Sequence, residues 1–238
     1  MRTLSVIMIL FVLAGCTAQK QQSSPNTLNN KELKLGWQLL FDGSTPSGWR
    51  SANQTGFPSK GWVIKEGCLV SGGGGSLVSQ EEYDDFDFVW DWKMMDVGGN
   101  SGVKYFVKES KNDALGIEYQ MLDDMNHPWM KDGRMLPNDY HTVGAVYELY
   151  SPSIYKKIKP VGEWNTSRVV SKGNHVEHWL NGAKVAEFDR GSADFNDRVA
   201  KSKFKDIPQF GLHDKGLLLL QDHGSVVWFK NIKIRRLN

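Results

Sequence analysis

Gly116-Ile117-Glu118-Tyr119-Gln120-Met121-Leu122-Asp123 alternates apolar residues (Ile117, Tyr119, Met121) with small or polar ones (Gly116, Glu118, Gln120). That two-residue period predicts a strand with one face in a core and the other free. A carboxylate and an amide side by side are more than a merely wet face requires. Glu118 and Gln120 are therefore the first candidates for chemistry, against the alternative of an ordinary solvated strand face.

The neighbouring segments read the same way. Residues 86–93 alternate most cleanly, with Phe86, Phe88, Trp90 and Trp92 on one face and Asp87, Asp91 and Lys93 on the other. Strands are also predicted at 37–43, 103–107, 168–170, 217–221 and 226–234. Residues 61–70 form a hairpin around Glu66-Gly67, and 175–188 form another around Asn181-Gly182, a strong hairpin signal. Only 193–202 suggests a short helix. The run Ser71-Gly72-Gly73-Gly74-Gly75-Ser76 is followed by neither Lys-Ser nor Lys-Thr and opens no helical pattern, so it reads as a flexible loop rather than a phosphate cradle. Residues 124–162 lack clear periodicity, and such a stretch inside a compact domain is usually a lid or a cluster of binding loops. The prediction is all-β: a jelly-roll β-sandwich of two antiparallel sheets with a long loop region at about 124–162.

The N-terminus carries a separate message. Arg2, an apolar run over 4–13 and then Leu13-Ala14-Gly15-Cys16 make a secretory signal too short to span a bilayer. Small residues directly before a cysteine resemble the bacterial lipoprotein signal, which implies cleavage before Cys16 and lipidation there. The expected organisation is a signal peptide at 1–15, a flexible Gln-, Ser- and Asn-rich tether at 16–32 and one domain at 33–238. The location is exported and membrane-anchored, on the periplasmic or cell-surface side. Cys68 is then the only thiol of the mature chain, expected to be a buried packing residue, and no internal disulfide can form. A formal charge of +2, without basic clusters interleaved with aromatics, gives no reason to invoke nucleic acid. Nine tryptophans fit a carbohydrate partner better, although most of them belong in a core.

Six motifs occur in order: Phe41-Asp42-Gly43 with Gly48-Trp49, Asn100-Ser101-Gly102, Glu118-Tyr119-Gln120 with Asp123, Glu163-Trp164-Asn165, His178-Trp179-Leu180-Asn181-Gly182, and Leu220-Gln221-Asp222-His223-Gly224 with Phe229-Lys230-Asn231-Ile232. Together, over residues 36–234, they resemble the family once called domain of unknown function 1080, now described as 3-keto-disaccharide hydrolases. The resemblance implies a concanavalin A-like lectin/glucanase fold and a role in glycan breakdown. Two positions depart from the family's pattern: Phe106 and Lys230 stand where many members have Arg, and the first could remove a substrate or structural contact.

Retaining glucanases of that fold carry Glu-x-Asp-x-x-Glu on one strand, which would fall on Glu118, Gln120 and Asp123. The middle carboxylate has become an amide here. Residues five apart also face opposite ways on a regular strand, so paired carboxylates would need a bulge. The family name implies different chemistry: a C3 ketone acidifies the C2 proton, a base removes it, the glycosidic oxygen leaves from C1, and water adds across the double bond. Glu118 is the expected base, with His223 or Asp123 as acid and Gln120, Asn100 or Lys104 polarising the ketone. His127, His141, His178, Asp222 and Trp129 are expected to bind substrate. A divalent metal is left open, since His127, His141, His178, Asp222, His223, Glu118 and Asp123 are suitable ligand types without a recognised spacing. A lectin-like carbohydrate-binding module and, less favoured, a glucanase are the alternatives.

Overall fold

The computed structural model describes residues 24–111 and 113–237. It is an all-β sandwich of jelly-roll type, so the predicted fold class holds. One sheet has eight strands and the other five. The larger runs β11 (Ala183–Asp189), β10 (His175–Leu180), β9 (Asn165–Lys172), β6 (Phe86–Met94), β13 (Val227–Arg236), β4 (Cys68–Val70) and β3 (Val63–Lys65), with β1 (Gln38–Leu39) also paired to β13. The smaller runs β2 (Trp49–Ser51), β5 (Leu77–Ser79), β12 (Leu217–Leu220), β7 (Asn100–Ser110) and β8 (Asp113–Leu122). Every pairing between these strands is antiparallel.

The core is the sum of the inward halves of these alternations. Phe86, Phe88, Trp90, Trp92 and Met94 of β6 are buried, as are Ile117, Tyr119 and Met121 of β8 across the sandwich. The Trp90 ring meets that of Tyr119 edge-on at 5.1 Å, and the Tyr119 hydroxyl donates to the Trp179 carbonyl at 3.1 Å. In β13 the buried set is Val227, Phe229, Ile232 and Ile234, which breaks strict alternation. A register shift at Asn231, whose φ is 50°, absorbs the extra residue. Asn181 and Gly182 both have positive φ, as the predicted two-residue turn requires. The helix expected near 193–202 is α3 (Ala193–Lys201); α1 (Asn30–Lys34) and α2 (Pro128–Lys131) are short additions.

Two expectations are corrected and a third is narrowed. The glycine run is packed in place rather than left as a free loop. A Cβ on Gly61 would stand 2.0 Å from the Gly74 nitrogen, so only glycines allow the two segments to meet. The domain also begins earlier than 33: Asn26 is buried and exchanges two hydrogen bonds with Asn231, and Asn29 and Glu32 form a capping box for α1. Of the two readings of segment 124–162, the structure gives the cluster of binding loops, strapped down rather than poised as a lid. Asp124 and Lys156 form a buried ion pair at 2.8 Å, and backbone bonds from Gly144 and Tyr147 reach the carbonyls of Gln120 and Glu118 on the free edge of β8. Cys68 is buried, as expected; Cys16 and the signal peptide lie outside the described residues.

Candidate active site

β7 and β8 build the floor. Their register sets Lys104 opposite Glu118 and Gly102 opposite Gln120, all on the face turned away from the core. Asn100 sits diagonal to Gln120, whose Nε2 donates to its Oδ1 at 3.4 Å. From β12, the backbone N–H of Gln221 donates to the Gly102 carbonyl, bringing Gln221 and His223 alongside. Gly102 leaves a hollow in this floor, and Glu118 lies over it: a Cβ on Gly102 would stand 2.6 Å from Glu118 Oε1.

The strapped loops and the segment after α3 supply the walls. Trp129 on α2 meets His127 and His141 edge-on at 5.4 and 5.6 Å, and His141 meets Tyr147 at 5.2 Å. Opposite them, the Lys203 ammonium lies 4.1 Å from the centre of the Tyr147 ring. The result is a cleft with two adjoining lobes. One, of about 360 Å3, is lined by Asn100, Gln120, His127, Trp129, His141 and Tyr147 among others. The other, of about 120 Å3, holds Lys104, Glu118, Lys203 and Gln221; Asn100, Gln120, Tyr147 and His223 border both.

The electrostatics single out Glu118. It is 6 % exposed, and its nearest cation, Lys104 Nζ, is 3.8 Å away, beyond hydrogen-bond distance. Burial pushes its carboxyl above the usual range, while Lys104 and Lys203 pull it back. Burial likewise lowers the Lys203 ammonium, and Glu148 and Glu118 oppose that shift. The side-chain oxygens of Gln120 and Gln221 are buried without partners among the described residues, which suits a polar ligand. His141 is held by Asp139 at Nδ1 (2.6 Å), with Glu148 3.4 Å from Nε2. His127 Nδ1 accepts the Trp129 N–H, and burial, with Arg134 nearby, lowers its pKa. A carboxylate base, two ammonium groups, amides and imidazoles converge on one polar hollow beside an aromatic wall. Such a set can take a proton from carbon and hold the resulting negative charge.

The structure thus brings together Glu118, Gln120, Asn100, Lys104, His127, Trp129, His141 and His223. It does not bring in Asp123, Asp222 or His178. Asp123 is turned into the chain, where its carboxylate accepts from the Gly98 N–H and the Asn126 amide. The pairing of Glu118 with Asp123 that a glucanase would need is therefore missing. Asp222 accepts from the N–H groups of Gly73, Gly74 and Gly224 and so pins the glycine run. His178 is in the core between the sheets, bonded to the Tyr105 hydroxyl at 2.8 Å and the Gly144 carbonyl at 3.1 Å, with its pKa pushed down to about 4 by burial. Phe106 is also away from the cleft, buried at a bulge under the Arg190 guanidinium. Among the described residues, three metal-ligand atoms converge only at His175, Glu177 and Glu187, on the edge hairpin of the other sheet. Lys203 and Tyr147 were not singled out from sequence as site residues, nor was Gln221 apart from its motif.

Comparisons with known proteins agree with this architecture. The chain is 32 % identical over 235 residues to a 3-keto-disaccharide hydrolase of Bacteroides thetaiotaomicron, an alignment that covers 85 % of this chain and 79 % of that protein. The crystal structure of a proposed glycosyl hydrolase from Parabacteroides distasonis superimposes with a TM-score of 0.82 at 37 % identity, covering 90 % of this chain and all (100 %) of the other. A second from the same organism gives 0.63 at 29 % identity, covering 84 % and 99 %. Residues 36–235 match the model of the 3-keto-alpha-glucoside-1,2-lyase-like domain, and the chain belongs to that family.

Proposed function

We propose that the protein cleaves 3-keto-glycosides by removing the C2 proton and expelling the glycosidic oxygen from C1. The observation that carries this reading is the buried Glu118, whose carboxylate has no hydrogen bond among the described residues, facing a hollow ringed by Lys104, Lys203 and two amide oxygens likewise without partners there. Its raised pKa makes it a stronger base than a solvated carboxylate. Glu118 takes the proton from C2, and the electrons move onto the C3 oxygen. The ammonium groups of Lys104 and Lys203, already in place beside the buried carboxylate, stabilise that enolate. As the ketone re-forms, the C1–O bond breaks and a cleft histidine, His141 or His223, gives the leaving oxygen its proton. Water then adds across C1 and C2, its hydroxyl to C1 and a proton that has exchanged with solvent to C2, which completes a net hydrolysis. The aromatic wall of Trp129 and Tyr147 offers the faces on which a sugar ring stacks.

The relatives' descriptions support a carbohydrate-active, glycoside hydrolase-type enzyme, and the finer chemistry rests on the geometry. We further read the protein as exported and anchored through Cys16. Cys16→Ser should move it from the membrane fraction to the soluble one, and an unchanged distribution would reject that reading. The test of activity is turnover of a 3-keto-disaccharide and of its unoxidised parent, each with and without a chelator and with Glu118→Gln alongside. Turnover of the keto sugar alone, abolished in the variant, is expected. Chelator-sensitive turnover would bring a metal into the site, and turnover of the parent would restore a glucanase. Sugar binding without turnover would make the protein a lectin.

A further inference from the structure

The outer face of the eight-stranded sheet, on the far side of the sandwich from the cleft, has an uneven distribution of charge. Towards one end cations are answered by carboxylates: Arg168 and Arg235 share Asp87, and Lys233 pairs with Glu32. At the other end, lysines alternate with indoles instead. Lys65 and Lys93 lie 5.3 and 4.7 Å from the centre of the Trp228 ring, and Lys93 and Lys230 lie 5.0 and 3.9 Å from that of Trp164. Register explains the ladder, since Trp228 is paired with Lys93, and Trp164 directly precedes the residue paired with Trp92. Among the described residues neither Lys93 nor Lys230 has a carboxylate within ion-pair distance, and Lys65 has only Glu66 at 4.0 Å. Asp91 is beside them, but its two oxygens are taken by the Thr166 hydroxyl and the Asn231 amide.

The described chain also starts on this face. Ser24 and Pro25 line a shallow hollow of about 480 Å3 together with Trp164, Lys159 and Lys230. Only eight residue steps separate Ser24 from Cys16, which can span at most about 29 Å.

We propose that this lysine–tryptophan face lies on an anionic membrane surface, turning the cleft outward. The proposal rests on the reading of Cys16 as a lipid anchor, which would hold the face within reach of the bilayer. Three observations favour a membrane over a soluble glycan. The surface is a broad sheet face whose hollow is wide open and already bordered by the entering chain at Ser24 and Pro25. Its indoles are already flanked by ammonium groups and so are poor platforms for a sugar ring. The chain enters it from the anchored end. Indoles and lysines are the side chains that settle at a headgroup layer, and each lysine near an anionic surface strengthens binding about five-fold.

The test uses the mature chain with Cys16→Ser, so that no lipid contributes, sedimented with phosphatidylcholine vesicles with and without phosphatidylglycerol. Binding to the anionic vesicles alone, weakening as salt is added, is expected. The double variant Lys93→Glu/Lys230→Glu should bind about 25-fold more weakly or worse while cleaving soluble substrate at the unaltered rate. Lys93→Gln/Lys230→Gln, checked by its melting temperature, serves if charge reversal impairs folding. Equal sedimentation of variant and unaltered chain would overturn the proposal, as would equal binding to neutral vesicles. Tighter binding to a soluble sulfated polysaccharide than to the vesicles would overturn it too, making the face a polyanion site. Because the vesicle assay involves no lipid anchor, its failure is distinct from failure of the Cys16 reading, which fractionation of the native protein tests separately.

Discussion

Gly102→Ala probes whether Glu118 acts from where it is held. The new methyl carbon would stand 2.6 Å from Glu118 Oε1, 3.0 Å from Cδ and 3.1 Å from Cγ. Ordinary contact begins at 3.4 Å, so the carboxylate must retreat by about 0.8 Å. The atoms in the way are the far end of a side chain bordering a cavity, so the sheet itself is spared and the melting temperature should change little. Catalysis should not be spared, because a misplacement of about 1 Å can cost about 100-fold in rate, or roughly 2.7 kcal/mol of transition-state stabilisation. The assay is kcat and KM on a 3-keto-disaccharide for the unaltered protein, Gly102→Ala, Glu118→Gln and the double variant. The expected result is a fall in kcat of about two orders of magnitude for Gly102→Ala. In the Glu118→Gln background the same change should do almost nothing more, because both act through one group. Full additivity of the two losses, or a Gly102→Ala enzyme with unaltered kcat, would refute the reasoning.

Replacing Lys203 with Met removes one of the two cations that lower the Glu118 pKa. The carboxylate then protonates at higher pH, so the acid limb of kcat/KM should move upward; a limb that stays in place would deny the coupling. His178 is neutral when folded, its pKa about 4 against 6.5 in the open chain. Its contribution to stability is therefore complete above pH 6.5 and falls away as pH drops towards 4, by roughly 3 kcal/mol in all. His178→Phe should be less stable overall, with Tyr105 unpaired, yet show a flatter dependence over that window in urea titrations. Asp222→Ala should release the glycine run at a cost of roughly 1.5–3 kcal/mol, read as a lower urea midpoint. If stability is unaltered and only KM rises, Asp222 is a substrate ligand after all.

The fold was legible because alternation is a local signal. Residues 86–93 and 116–122 declare their inner and outer faces without reference to anything distant, and Asn181-Gly182 declares its turn. The same signal was available for His178, which shares its parity with Val176 and Leu180 and is buried with them. Reading the imidazole as chemistry overrode what the strand period implied. The half of the site on strands was likewise visible, since Glu118, Gln120, Asn100 and Lys104 project from one sheet face. The rest depends on where aperiodic segments return. Tyr147 is fixed by a backbone bond to the edge of β8, and Lys203 by a turn after α3, and neither contact leaves a mark on nearby sequence. Asp123 and Asp222 misled for a related reason. A loop carboxylate that satisfies backbone N–H groups has the same composition as one that meets a substrate, and only the partners tell them apart.

In the proposed mechanism Glu118 removes the proton from C2. A 3-keto-disaccharide carrying deuterium at C2 of the oxidised ring, cleaved in ordinary water, tests it directly by following that label in the product. The expected result is complete loss of the deuterium from C2, slowed cleavage relative to the unlabelled substrate, and neither loss nor cleavage with Glu118→Gln. Cleavage that leaves the deuterium in place, or proceeds undiminished without the Glu118 carboxylate, would contradict it.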